Sequence, residues 1–158
     1  MSVTIRPIQP ADYPLLEEFM FLTFFNPPGK DPYPYETVFH PEIIVYYEDF
    51  GNGKDDCGYV AEVEGEVIGA AWTRLIKSFG YVDDNTPELA ISMKPGYQGQ
   101  GIGGSLIKHL FEHLRERGYV QTSLSVDKGN PAKRLYERLG YETIQENEDD
   151  DVMLKKLL

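Results

Sequence analysis

The stretch Leu89-Ala-Ile-Ser-Met93-Lys-Pro95-Gly-Tyr-Gln98-Gly99-Gln100-Gly101-Ile102-Gly103-Gly104-Ser105 decides the reading of this chain. Its first part belongs to an apolar run over residues 87–94 that reads as a strand. Its middle, residues 95–104, is glycine-rich. Its last part opens a helix over 102–117, in which Ile102, Leu106, Ile107, Leu110, Phe111 and Leu114 share one face and Gly118 is the stop. A glycine loop between a strand and a helix lets the backbone approach a ligand. The first helical amides have no partner within the helix, and the helix dipole favours an anion there. A diphosphate is the natural occupant, and a glycine-rich turn with no ligand is the plain alternative.

Two phosphate fingerprints can be weighed against this stretch. Gly99-x-Gly101-x-x-Gly104 matches the dinucleotide-binding spacing, and Asp127 ends the next strand where a ribose-binding acid would belong. Against it, Pro95 to Gln98 separate the strand from the first glycine. Only 31 residues follow Asp127, too few for a doubly wound sheet. A nucleoside-triphosphate loop is excluded, because no Lys-Ser/Thr pair follows the glycines. Asp49-Phe50-Gly51 spells a kinase metal-binding tripeptide, but the other kinase motifs are missing.

Working outward, residues 3–8 alternate as a first strand, and Pro10 and Asp12 open a helix carrying Leu15, Leu16, Phe19, Met20 and Thr23. Prolines and a glycine over 26–34 mark a loop. Pro41 to Phe50 reads as a second helix through Ile43, Ile44 and Tyr47. Residues 58–63 and 67–76 form a hairpin around Glu64-Gly65-Glu66. Val120, Thr122, Leu124 and Val126 alternate as a strand, and Asn130-Pro131 caps a helix whose stripe is Ala132, Leu135, Tyr136 and Leu139. Two short strands follow around the acidic run from Glu146 to Asp151. The expectation is one mixed α/β domain over 1–158.

Composition narrows the function classes. In 158 residues, 26 acidic and 15 basic side chains give a net charge of −11, which argues against nucleic acid and anionic membrane as partners. No run is long enough to span a bilayer, and residues 1–10 show no secretory pattern, so a cytoplasmic protein is expected. Cys57 is alone, which excludes an intrachain disulfide and a cysteine-based zinc site, and no metal is expected. Cys57 itself reads as an inert strand residue. Nothing in the sequence excludes a homodimer.

The combination of Leu89 to Pro95, then Gln98-x-x-Gly101-x-Gly103, then Asn130-Pro-Ala132 with Tyr136 and Leu139-Gly140-Tyr141 resembles the GNAT superfamily of N-acetyltransferases. The order of elements is similar over nearly the whole chain. Gln98 stands where many members carry Arg and brings no charge to the pyrophosphate. The resemblance implies a mostly antiparallel twisted sheet with a splayed parallel pair, flanked by helices. It implies acetyl-CoA lying between the strands that end at Met93 and Val126. The amides of Gln98, Gly99, Gln100, Gly101, Ile102, Gly103 and Gly104, with Ser105 beside them, would hold the pyrophosphate. The backbone of Ile91, Ser92 and Met93 would pair with the pantetheine arm, with the Met93 amide as oxyanion donor.

Asn130 would touch the same arm, and Tyr136 would protonate the leaving thiolate of coenzyme A. For the base, Glu88 at the exposed start of its strand is the first choice, with Asp83, Asp84 and His40 as rivals. Phe21, Phe24, Phe25, Tyr33, Tyr35 and Phe39 would cover the acceptor side, and Trp72 reads as core or pocket wall. A primary amine of a small molecule or peptide is the implied acceptor: ribosomal protein N-termini, polyamines, aminoglycosides and amino acids all fit. An acyl-CoA-binding sensor without catalysis and a dinucleotide-dependent enzyme are the alternatives.

Overall fold

A computed structural model describes residues 2–158. Its seven-stranded sheet has the order β1-β2-β3-β4-β5-β7-β6. The strands are β1 (Thr4–Pro7), β2 (Cys57–Val63), β3 (Glu66–Arg74), β4 (Glu88–Met93), β5 (Gln121–Asp127), β6 (Glu142–Glu146) and β7 (Asp150–Lys156). All neighbours are antiparallel except β4 and β5. A single parallel pair in an antiparallel sheet is not a doubly wound fold, so the dinucleotide-enzyme expectation falls.

The long helix α3 (Ile102–Glu116) lies on one face, where Leu106, Ile107, Leu110 and Leu114 are wholly buried against Ile68, Leu124 and Met153. On the other face α1 (Leu16–Leu22) buries Leu16, Phe19 and Met20 against Val60, Ala70, Trp72 and Ala90. Period-two alternation divides β4 between the two: Leu89 belongs to the α3 side and Ala90 to the α1 side.

Two expected helices are corrected. The first is a 3₁₀ segment over Pro10–Leu15 followed by α1, because Pro14 has no N–H to continue an α ladder. The second shrinks to α2 (Pro41–Ile44). Beyond it, Tyr46 and Tyr47 donate to Ile43 and Ile44, which is three-residue turn geometry, and Asp49 adopts a positive φ of 53°. Helical spacing of Ile43, Ile44 and Tyr47 serves consecutive turns equally well. Trp72 is core, at 1% exposure, and its indole N–H holds the Tyr46 carbonyl at 2.8 Å. Cys57 is buried with Sγ 3.3 Å from His113 Nδ1, and burial pushes its thiol up to about 11, in keeping with an unreactive residue.

Candidate active site

Strands β4 and β5 share one register pair, Glu88 with Ser123. That end is sewn shut: the Ser123 amide and the Thr122 hydroxyl donate to the Pro87 carbonyl at 3.0 and 2.8 Å, and Gln121 Nε2 donates to Thr86 Oγ1 at 2.8 Å. Beyond it the strands part. β5 continues in full register with β7, while β4 stays with β3. The result is a wedge-shaped gap in the sheet.

Backbone alternation decides which groups face the gap. The Lys94 amide donates to the Ile68 carbonyl of the β2–β3 side at 2.8 Å. Counting back by two, Ser92 and Ala90 also pair with β3, so the N–H and C=O of Ile91 and Met93 point toward the gap. Ser92 is turned the other way, and its hydroxyl donates to the Phe19 carbonyl at 2.5 Å. The expectation that Ser92 pairs with a cofactor is therefore corrected.

The loop after β4 presents donors. Gly96, Gly99 and Gly101 adopt φ of 95°, 76° and 79°, and Gly101 precedes the first residue of α3. Among the described residues, no amide from Gln98 to Gly104 donates to a protein acceptor; the first helical bond is from Ser105 to the Gly101 carbonyl. Gln98 folds back on its own loop, with Oε1 accepting from the Gly96 amide at 3.1 Å. Gly103 is buried, with space for a Cβ only at 3.4–3.6 Å from Leu135, Met93 and Ile91.

A cleft of about 660 Å³ opens along the gap. Of the expected site residues, Ile91, Asn130 and Tyr136 line it, with Leu89, Leu124 and Val126 from the two strands. Asn130 Oδ1 accepts from the Ala132 amide at 2.9 Å, capping α4 (Ala132–Arg138) as its spacing implied. Tyr136, half-buried on α4, stacks edge-on to Tyr141 at 5.9 Å, and among the described residues its hydroxyl has no partner. Burial pushes that phenol up to about 12, so it holds its proton at neutral pH.

Glu88 departs from expectation. It is 2% exposed and does not itself line the cleft. Oε2 accepts from the Tyr46 hydroxyl at 2.5 Å and the Gly80 amide at 3.0 Å, while Oε1 has no partner. Desolvation raises its carboxyl above the ordinary range, opposed by those hydrogen bonds. Of the rival bases, His40 lines the cleft, with Nδ1 accepting from the Glu42 amide at 3.1 Å. Asp83 and Asp84 lie outside it, bound to Thr86 and Tyr81.

Of the aromatic segment, Phe24 and Tyr33 line the cleft, and Phe25 reaches across toward Gly129. Phe21, Tyr35 and Phe39 form the aromatic layer behind, in contact with one another and with Phe24. Sequence reasoning missed Tyr46, Phe79 and Ser125, and did not foresee that the carboxylates Asp127, Glu148, Asp149 and Asp150 would line the same cleft. Among the described residues, no Lys or Arg lines it. Asp150 is fixed by Ser125 Oγ at 2.6 Å and Asn147 Nδ2 at 2.9 Å. Asp127 is raised by burial and by the charges of Asp150 and Asp149. The nearby Lys128 and Lys133 are both engaged by Asp151.

A mixed sheet with one splayed parallel pair, and a loop of free amides beside the split, define a cleft with an anion-binding corner. The family model of the Acetyltransferase (GNAT) family matches residues 16–141, and the chain belongs to that family. It is 33% identical over 156 residues to a mycothiol acetyltransferase of Streptomyces coelicolor, covering 87% of this chain and 48% of that protein. It is 42% identical over 67 residues to the [ribosomal protein bS18]-alanine N-acetyltransferase of Escherichia coli, covering 40% of this chain and 45% of that protein. The chain spans between about a quarter and a half of the length of the curated relatives it matches. Among solved structures, the PaiA N-acetyltransferase of Thermoplasma acidophilum, in complex with coenzyme A, superposes with a TM-score of 0.73 at 19% identity, covering 99% of each chain. Among the described residues no helix is long and apolar enough to cross a membrane.

Proposed function

We propose that this chain is an N-acetyltransferase that moves an acetyl group from acetyl-CoA directly to a primary amine. The observation that carries the proposal is the unbroken run of unpartnered amides from Gln98 to Gly104 beside the gap bordered by Ile91 and Met93. These donors fit a pyrophosphate, and left-handed Gly99 and Gly101 keep side chains away from it. Gln98, Gly99, Gln100, Gly101, Ile102, Gly103, Gly104 and Ser105 form that cradle; Ile91 and Met93 would pair with the pantetheine arm, beside Asn130. Bound acetyl-CoA supplies an activated thioester carbonyl. The Met93 N–H, which faces the gap, would donate to its oxygen, a contribution of about 2.7–4 kcal/mol for a preorganised donor. Tyr136, which holds its proton at neutral pH, would give that proton to the sulfur. The amine attacks directly, so no protein nucleophile is required.

The acceptor reading follows from Asp127, Glu148, Asp149 and Asp150 on a wall without Lys or Arg. Such a wall suits an amine that carries a further positive charge, as in a diamine or a basic peptide, and repels anionic substrates. A cytoplasmic setting is the matching reading of localisation, and one domain over 1–158 that of organisation. The test is calorimetric titration with acetyl-CoA, coenzyme A, NAD and NADP, followed by an amine panel with thiol detection. Acetyl-CoA and coenzyme A should bind and NAD should not. Binding of NAD alone would sink the transferase reading, and binding without turnover on any amine would favour the sensor.

A further inference from the structure

We propose that Tyr46 carries the acceptor amine's proton from the cleft to Glu88. The proposal rests on the acetyl-transfer reading above and supplies the path by which the amine becomes a nucleophile. A carboxylate that serves only to hold a loop normally has both oxygens partnered. Glu88 has one oxygen partnered and the other buried and free. It is closed off by Gly80, where a Cβ would fall 2.9 Å from Oε2 and 2.8 Å from the Leu124 backbone. Tyr46 is the residue that joins it to the cleft: it lines the cleft wall, and its hydroxyl lies 2.5 Å from Glu88 Oε2. Trp72 pins the Tyr46 carbonyl, and the ring is buried at 6% exposure, so the hydroxyl is held in place.

The step balances. The amine N–H proton passes to Tyr46 Oη as the Tyr46 proton passes to Glu88 Oε2. The freed lone pair forms the C–N bond, the C–S bond breaks, Tyr136 protonates the sulfur, and the second nitrogen proton, shed as the amide forms, returns to the Tyr136 phenolate. Glu88 has then gained one proton, which it releases to solvent, and Tyr136 is restored. The groups facing Glu88 are Tyr46 from the segment after α2 and the backbone of Gly80 and Ser78 from the loop before β4. From β5, Ser123 Oγ is turned to the Gly80 carbonyl. Arg74, its cross-strand neighbour on β3, is turned to Asp56 and to the Val45 and Glu48 carbonyls. Glu88 therefore titrates beside one phenol and no fixed cation.

The experiment compares wild type, Tyr46→Phe, Glu88→Gln and the double variant in kcat/KM against pH, using acetyl-CoA and an accepted amine, with coenzyme A affinity and melting temperature beside them. Each single variant should lower kcat by roughly 10²-fold or more, the size of an acid–base contribution. Coenzyme A affinity should stay within threefold. The acid limb of the wild-type profile should vanish in both, and the double variant should be no slower than the worse single. A Tyr46 that merely packs would leave the acid limb in place, and that outcome overturns the proposal, as does strict additivity. A proton inventory on unaltered enzyme decides independently of folding: two protons in flight give a curved plot, and a linear one overturns the relay. Unchanged variants with an active wild type defeat the relay alone; a wild type that transfers to no amine defeats the acetyltransferase reading beneath it.

Discussion

The two walls of the β4–β5 gap are chemically opposite. On the β4 side, the loop offers neutral amides and no carboxylate from Pro95 to Ser105. On the β5–β7 side, Asp127, Glu148, Asp149 and Asp150 line the cleft, with no Lys or Arg among its described lining residues. The charge of −11 is thus partly concentrated on one wall rather than spread evenly. On the proposed reading, a polyanionic donor would be favoured on one wall and repelled from the other, while a cationic acceptor would meet the reverse. The electrostatics would then orient the two substrates before any contact forms.

The largest expected effect tests where the two walls meet. Tyr136→Phe keeps the ring against Tyr141 and removes only the unpartnered hydroxyl. Turnover should fall by roughly 10²–10⁴ with KM for acetyl-CoA almost unchanged. The deficit should narrow as pH rises toward the thiol range, where the sulfur needs less protonation. Steady-state kinetics across pH beside a melting curve check this; turnover within threefold of wild type at neutral pH removes Tyr136 from the mechanism.

A smaller effect tests the loop side. Gly101 and Gly118 flank α3 with φ of 79° and 89°, and neither has an atom within 4 Å of where a Cβ would lie. Alanine at either should lose about 1–2 kcal/mol of stability from left-handed strain alone. Only Gly101→Ala should also weaken coenzyme A binding, by about tenfold, since only that loop carries the free amides. Equal affinities in the two variants would detach the loop from the ligand.

Legibility in the sequence follows the range of the interactions. The glycine loop and α3 could be read because their signals, glycine spacing and a 3.6-residue period, are local. Tyr136 could be placed because Asn130 caps α4 from two residues away, at Ala132. Glu88 was placed correctly on β4, but its burial arises from Tyr46, 42 residues away, and from a loop folded over it. Nothing near Glu88 in sequence carries that information. The acidic run 146–151 was visible, yet which of its carboxylates face the gap depends on β7 register with β5, where Asp150 meets Asp127 and Asp151 meets Val126. Alternation then sends Asp150 to the cleft and leaves Asp151 to Lys128 and Lys133.

The smallest effect probes whether that acidic wall is held against its own repulsion. Asp127 has its carboxyl raised by burial first, then by Asp150 and Asp149. A raised carboxyl binds its proton more tightly in the folded state than in the unfolded chain. Its favourable contribution is therefore complete below the ordinary value of 3.8 and is lost as pH rises through the folded value. At neutral pH the ionised group opposes folding. Asp127→Asn should raise Tm at pH 7 slightly, by less than about 1 °C, because solvent screens the charges around this exposed group. Near pH 3.5 the variant and wild type should melt together. The same substitution should raise KM for a doubly charged amine by up to about fivefold at low salt, and less as salt screens the wall. A gain in stability joined to a loss in acceptor affinity marks repulsion kept for binding. A variant that loses stability at pH 7 would show instead that Asp127 is a structural partner, and the acidic wall would then lose one of its binding charges.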